Sequence, residues 1–165
     1  MKTNVMQETT LSPVITPEAF LAHWQGHRRV TRRVIEAFPE DKLFSFSVGG
    51  MRPFAELATE MIRMSSPGID GILTGKWDRF DYSPAGTTKK ELLQQWDEVT
   101  EKINTLWPQI PAQRFLENDI AFGQYEGPIY GTLLYFVDNE IHHRGQGYVY
   151  LRALGIEPPP FWNRM

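Results

Sequence analysis

The residues of this 165-residue chain best placed for chemistry lie in one segment, Asn139-Glu140-Ile141-His142-His143-Arg144-Gly145-Gln146. Asn139 and His143 stand at i and i+4, so on a helix they share a face. Thr132, Phe136, Gln146 or Gly147, Tyr150 and Leu154 extend that line, which is apolar at both ends and polar in the middle. Burying an amide and an imidazole costs on the order of a few kcal/mol unless each finds a partner. A hydrogen-bonded pair would suffice, but Glu60 adds a second polar intrusion. It falls at helical spacing with Leu57 and Met64, at the edge of another apolar stripe. Glu60, Asn139 and His143 converging from two helices would form a donor set for a divalent metal, with positions left open for water or substrate. Glu140 is a reserve carboxylate. His142, about 100° round the helix from His143, is a flanking group and a second reserve. Gln146 and Tyr150 are the candidates for orienting a substrate.

Other patterns carry less. His23 and His27 also have H-x-x-x-H spacing, but no Glu follows the first His, and His27 lies on an apolar stripe, where a core histidine is the plainer reading. Gly71 to Lys76 falls one residue short of a phosphate loop and ends on Trp77 instead of Ser or Thr. Ser65-Ser66 before Pro67 is explained by a turn. With no cysteine, disulfides, thiolate ligands and a cysteine nucleophile are excluded. Net charge is −3, and the one dense basic group, Arg28, Arg29, Arg32 and Arg33, alternates with Val30, Thr31 and Val34. That spacing reads as a solvated face and argues against a nucleic-acid groove. No stretch reaches the roughly 20 apolar residues of a membrane span, and residues 1–15 lack the apolar region of a secretory signal. A cytoplasmic location is expected.

Four helices must position these residues. The first begins at Thr16-Pro17-Glu18, with Thr as N-cap and Pro in the first turn, and runs to about Phe38 before Pro39. A connector rich in Gly and Ser leads to the second, which starts near Arg52-Pro53 and turns Phe54, Leu57, Ala58, Met61 and Met64 inward. Pro67 predicts a break in it, after which Ile69, Ile72 and Leu73 resume the helical spacing. Gly75 to Gly86 reads as a loop whose Trp77 and Phe80 cover the end of the core. The third helix is capped at Thr87 or Thr88, with Glu91 completing a capping box, and closes at Pro108. Small helical turns are expected around Ala112 to Gln124. The fourth helix runs unbroken from Pro128 to Leu154 and stops at Gly155. The organisation is a flexible segment over residues 1–15 followed by one all-α domain over 16–165, an antiparallel four-helix bundle.

His142-His143-Arg144-Gly145-Gln146, followed by Tyr148-Val149-Tyr150-Leu151-Arg152 and Leu154-Gly155-Ile156-Glu157-Pro158-Pro159, resembles the last-helix signature of the DinB/YfiT-like metalloprotein superfamily. The helix order, the Trp24 segment and the Met51 to Met61 segment are similar too, so the resemblance spans about residues 16 to 162. It implies a site of three histidines, one from the second helix and an H-x-x-x-H pair from the fourth, holding Ni, Zn or a related divalent ion. This chain keeps only His143, with Asn139 in place of the first member of the pair and Glu60 in place of the histidine on the second helix. A carboxylate and an amide favour a harder ion such as Mn or Fe over late transition metals. The resemblance further implies a metal-dependent transferase joining a low-molecular-weight thiol, such as bacillithiol or mycothiol, to an electrophilic small molecule. The alternative is a stress-linked binding or dimerisation module with a degenerate metal site. A homodimer is expected, with Phe161-Trp162 packing across the interface.

Overall fold

The computed structural model describes residues 14–165, so the expectation of a flexible N-terminal segment falls almost wholly outside the described residues. Helix α1 spans Pro17–Ala37, and Thr16 caps it by accepting a hydrogen bond from the Ala19 amide at 3.2 Å. A short helix, α2 (Glu40–Ser45), stands in the connector. Helix α3 spans Phe54–Thr74, and α4 (Lys89–Leu106) starts on the Thr88/Glu91 capping box. Two 3-10 turns, Trp107–Gln109 and Ala112–Leu116, precede strands β1 (Asn118–Ala121) and β2 (Tyr125–Pro128), which pair antiparallel with Ile120 opposite Glu126. Helix α5, Ile129–Ala153, is the longest. Its end is a Schellman turn: Gly155 has φ +75° and the Ile156 amide donates to the Leu151 carbonyl at 2.8 Å.

Helices α1, α4, α3 and α5 pack in that cyclic order, each against its two neighbours, as the four-helix bundle expected from the periodicity. Trp24, Val34, Leu57, Met61, Ile72, Leu92, Trp96, Phe136 and Leu151 fill its centre. No helix among the described residues is long and apolar enough to cross a membrane.

Three expectations are corrected. Helix α3 is not broken at Pro67. An internal proline costs about 3 kcal/mol. Burial of Met61, Ile62 and Met64 before it and of Ile69 and Ile72 after it, each worth about 1.5–3 kcal/mol, holds both halves in one core and outweighs that cost. Residues 112–124 are only partly helical, because Asn118–Ala121 turns back through Phe122 (φ +55°) and Gly123 (φ +68°) as a hairpin. The unusual φ of Phe122 is held by packing, with its ring 4.3 Å from Phe80, 5.3 Å from Trp77 and 6.3 Å from Phe136. Arg28 is not part of a solvated face. It is 0 % exposed, lies over the Trp96 ring at 4.0 Å, and donates to the Thr100 hydroxyl at 2.7 Å and the Trp96 carbonyl at 3.0 Å.

Close approach of α5 to α3 depends on Gly147, where an added Cβ would lie 2.5 Å from Phe54 Cε2. Phe54 is fully buried and stacked on Phe38 at 5.0 Å, so it has nowhere to go. Gly147→Ala gains about 1 kcal/mol of helix propensity but loses about 1–3 kcal/mol to overpacking. Urea unfolding should show a net loss, whereas Gly145→Ala, which meets nothing within 4 Å, should stabilise.

Candidate functional site

The three candidate donors meet. Glu60 reaches across from α3, and its Oε1 lies 2.9 Å from His143 Nε2, while the Asn139 amide nitrogen donates to the same Oε1 at 3.2 Å. Asn139 Nδ2 also sits 3.2 Å from His143 Nε2. A carboxylate only accepts, so Nε2 carries the proton it gives to Glu60, and the Asn139–His143 approach is a contact and not a second hydrogen bond. Arg52, just before α3, donates to the other oxygen, Glu60 Oε2, at 2.6 Å. The hydrogen bond from His143, then those from Arg52 and Asn139, outweigh burial and hold the Glu60 carboxyl down at about 2. Two buried atoms of the cluster, Asn139 Oδ1 and His143 Nδ1, have no hydrogen-bond partner among the described residues.

The remaining candidates are elsewhere. Tyr150 is buried and gives its hydroxyl proton to the Arg52 carbonyl at 3.1 Å, which positions Arg52 from behind. His142 and Gln146 bond each other at 2.9 Å on the outside of α5. Glu140 turns away from Glu60 into the α1–α5 seam, where it accepts from the Thr31 hydroxyl at 2.6 Å. Arg144 lies 3.8 Å from Glu140 in the same seam and donates to His27 Nδ1 at 2.9 Å and to the His27 carbonyl at 3.1 Å. Glu140 thus belongs to a second polar cluster, with Arg28, Thr31, His27 and Arg144. The sequence reading placed Glu140 near the first cluster because it weighed only the Asn139–His143 line, and α5 buries two adjacent lines, one toward α3 and one toward α1. His27 is 3 % exposed, as its place on the apolar stripe implied, and His23 is on the surface.

The fit of a resident metal turns on the donor set. His143 is the only imidazole of the cluster, and its Nε2 is committed to Glu60. Asn139 presents its NH2 group to the cluster, and Arg52 places a cation on the carboxylate that an ion would need. A metal-bound imidazole ordinarily donates its other N–H to an acceptor, and His143 Nδ1 has none. Among the described residues no group of three or more His, Asp or Glu is gathered as a metal would require. The set does not fit the three-imidazole ion that the family resemblance implies.

A cavity of about 1080 Å³ opens between α3, the Gly75–Thr88 loop, the β1–β2 hairpin and α5. Arg52 and Glu60 form part of its wall, together with Thr59, Arg63, Met64 and Thr132. Arg52, which the sequence reading missed as a site residue, joins the polar cluster to this cavity. Its signal was faint, a lone arginine ahead of Pro53, eight positions from its carboxylate partner.

The chain matches the DinB family over residues 6–164. Solved structures resemble it, two of them as follows. A DinB-like protein from Bacillus cereus ATCC 10987 is 20% identical over 87% of this chain and 95% of its own, with a TM-score of 0.70. A DinB-like protein from Bacillus subtilis is 24% identical over 88% and 99%, also with a TM-score of 0.70. No curated protein matches. At these identities the two structures speak for the fold alone, while the family match runs nearly end to end, and on it the chain belongs to the DinB family.

Proposed function

We propose that this chain is a small-molecule-binding member of its family, taking an organic ligand into the α3–α5 cavity beside Glu60, with binding and not turnover as its role. The observation that carries this is the placing of Glu60 in the cavity wall with Arg52 at 2.6 Å and His143 at 2.9 Å on its two oxygens, which holds its carboxyl well below the usual range. A general base works best with a pKa near the operating pH, so a carboxylate this acidic is a poor base. It is a good fixed anion. The cavity is large enough for a drug-sized ligand.

The reading as a metal-dependent thiol S-transferase draws on one specific observation, the convergence of Glu60, Asn139 and His143 at 2.9–3.2 Å. One set of measurements separates the two. Protein purified without a metal-affinity tag should carry no stoichiometric Ni, Zn, Mn or Fe, and those ions should leave its melting temperature unchanged, because only a ligand of the folded state raises it. Nile red, a neutral probe, should bind at one per chain and more weakly in Thr132→Trp, which narrows the cavity. Stoichiometric metal that disappears in His143→Ala would hand the site to the transferase reading.

A further inference from the structure

The cavity has more character than size. Seven aromatic rings line it, among them Phe80, Tyr82, Phe122, Tyr125 and Tyr135. Its charged lining comprises four carboxylates and two arginines, and both arginines are already engaged. Arg52 is held by Glu60 at 2.6 Å. Arg63 is held by Asp81 at 3.4 Å and donates to the Ser83 and Pro84 carbonyls at 3.2 and 3.1 Å. That leaves Glu56, one helical turn before Glu60, and Glu126, on β2, with no ion pair or side-chain hydrogen bond among the described residues. An anionic ligand entering this space finds no uncommitted cation and two uncommitted carboxylates. A neutral one finds the rings and the Thr59, Gln124 and Thr132 side chains but leaves both carboxylates unpaired. A cation is served by rings and carboxylates alike, because the face of an aromatic ring is the negative end of its quadrupole.

We infer that the ligand of this cavity is an organic cation: an amine or quaternary ammonium on an apolar, ring-sized body, its charge drawn to the free carboxylates Glu56 and Glu126 and its body against the aromatic wall. The inference rests on the ligand-binding reading above and deepens it. It disfavours a thiol carrying free carboxylates as the occupant, since such a molecule would bring like charge to Glu56, Glu60 and Glu126.

Three probes of one shape test it by calorimetry on the full chain: 1-naphthylmethylammonium, 1-naphthalenemethanol and 1-naphthylacetate. The cation should bind about tenfold more tightly than the alcohol, with the acetate weakest. In the Glu56→Gln, Glu126→Gln double variant the preference for the cation should fall to about twofold or less, while the affinity for the alcohol stays the same. Both positions are exposed, so the fold tolerates the change, and unaltered melting checks this. Alcohol and cation binding equally, or the acetate binding best, overturns the cation inference and leaves the cavity reading standing. No saturable binding of any probe, or of Nile red, overturns both. A preference for the cation that survives in the double variant also overturns the assignment, because the charge is then read elsewhere.

Discussion

Glu140→Leu should destabilise the protein by about 3–5 kcal/mol, a large share of the roughly 5–15 kcal/mol margin of an ordinary domain. Glu140 is 1 % exposed and is the chief counter-charge of both Arg28 and Arg144, themselves 0 % and 5 % exposed, with Asp97 a lesser one for Arg28. Burial alone pushes its carboxyl up, and Arg28, Thr31 and Arg144 oppose that rise without cancelling it. Burial likewise brings the Arg28 guanidinium down to about 10, still charged at neutral pH, and its Nη1 has no hydrogen-bond partner among the described residues. Leucine fills the space but leaves Arg144 without a counter-charge and Arg28 with only Asp97, which already pairs with Arg32, and an uncompensated buried charge is among the most costly defects a core can hold. Glu140→Gln keeps an acceptor for Thr31 and should fall between wild type and leucine. Adding Arg144→Leu to Glu140→Leu removes one of the stranded charges, so the double variant should be more stable than the sum of the two single losses. Chemical denaturation with an unchanged m-value measures all of these. A loss below about 1 kcal/mol for Glu140→Leu would mean that water reaches the seam and solvates the arginines.

Why this seam went unread shows what periodicity can and cannot locate. The four helices, the Thr16 and Thr88 caps and the Gly155 stop were legible because each rests on local chemistry, a hydroxyl three residues before an amide or a glycine free to take positive φ. The Glu60–Asn139–His143 convergence was legible because two apolar stripes each carried a polar residue at the right spacing. Arg28 and Glu140 were misplaced because a buried charge looks like a surface charge in sequence; only the partner on another helix, Trp96 or Thr31, reveals it. The hairpin at Asn118–Pro128 was missed for a related reason. Its strands are four residues each and Phe122 takes a φ that only its packing against Phe80, Trp77 and Phe136 explains. Proline at 67 misled in the opposite direction, because a local rule was overridden by burial on both sides.

The same seam should make the protein sensitive to mild acid. Arg144 has only protons to offer, so at 2.9 Å the His27 Nδ1 must bring its lone pair, which puts the imidazole proton on Nε2. Protonating Nδ1 would break that bond and set a cation beside Arg144. Burial first, then the charges of Arg144, Arg164 and His23, bring His27 from its ordinary 6.5 down to about 3. Between those values the unfolded chain binds a proton that the folded chain refuses, so stability falls as the pH drops through the window. The slope approaches about 1.4 kcal/mol per pH unit, or about 2 kcal/mol between pH 6.5 and 5. Glu60 acts lower. Its carboxyl is ordinary near 4.5 when unfolded and held at about 2 when folded, so its contribution is lost only below about pH 4.5. The interval from 6.5 to 5 therefore excludes Glu60. Glu140, whose raised carboxyl takes up its proton in the fold before the unfolded chain does, gains stability as the pH falls and opposes the histidines, to which the interval belongs. His23 shares it, its pKa lowered first by its partial burial and then by Arg164, and His23→Gln serves as the control. His27→Gln offers Arg144 an amide oxygen that does not titrate, and should remove most of the difference in unfolding free energy between pH 6.5 and 5. If that variant keeps the full acid dependence while His23→Gln abolishes it, the proton enters at the surface and the buried His27–Arg144 bond is not what refuses it.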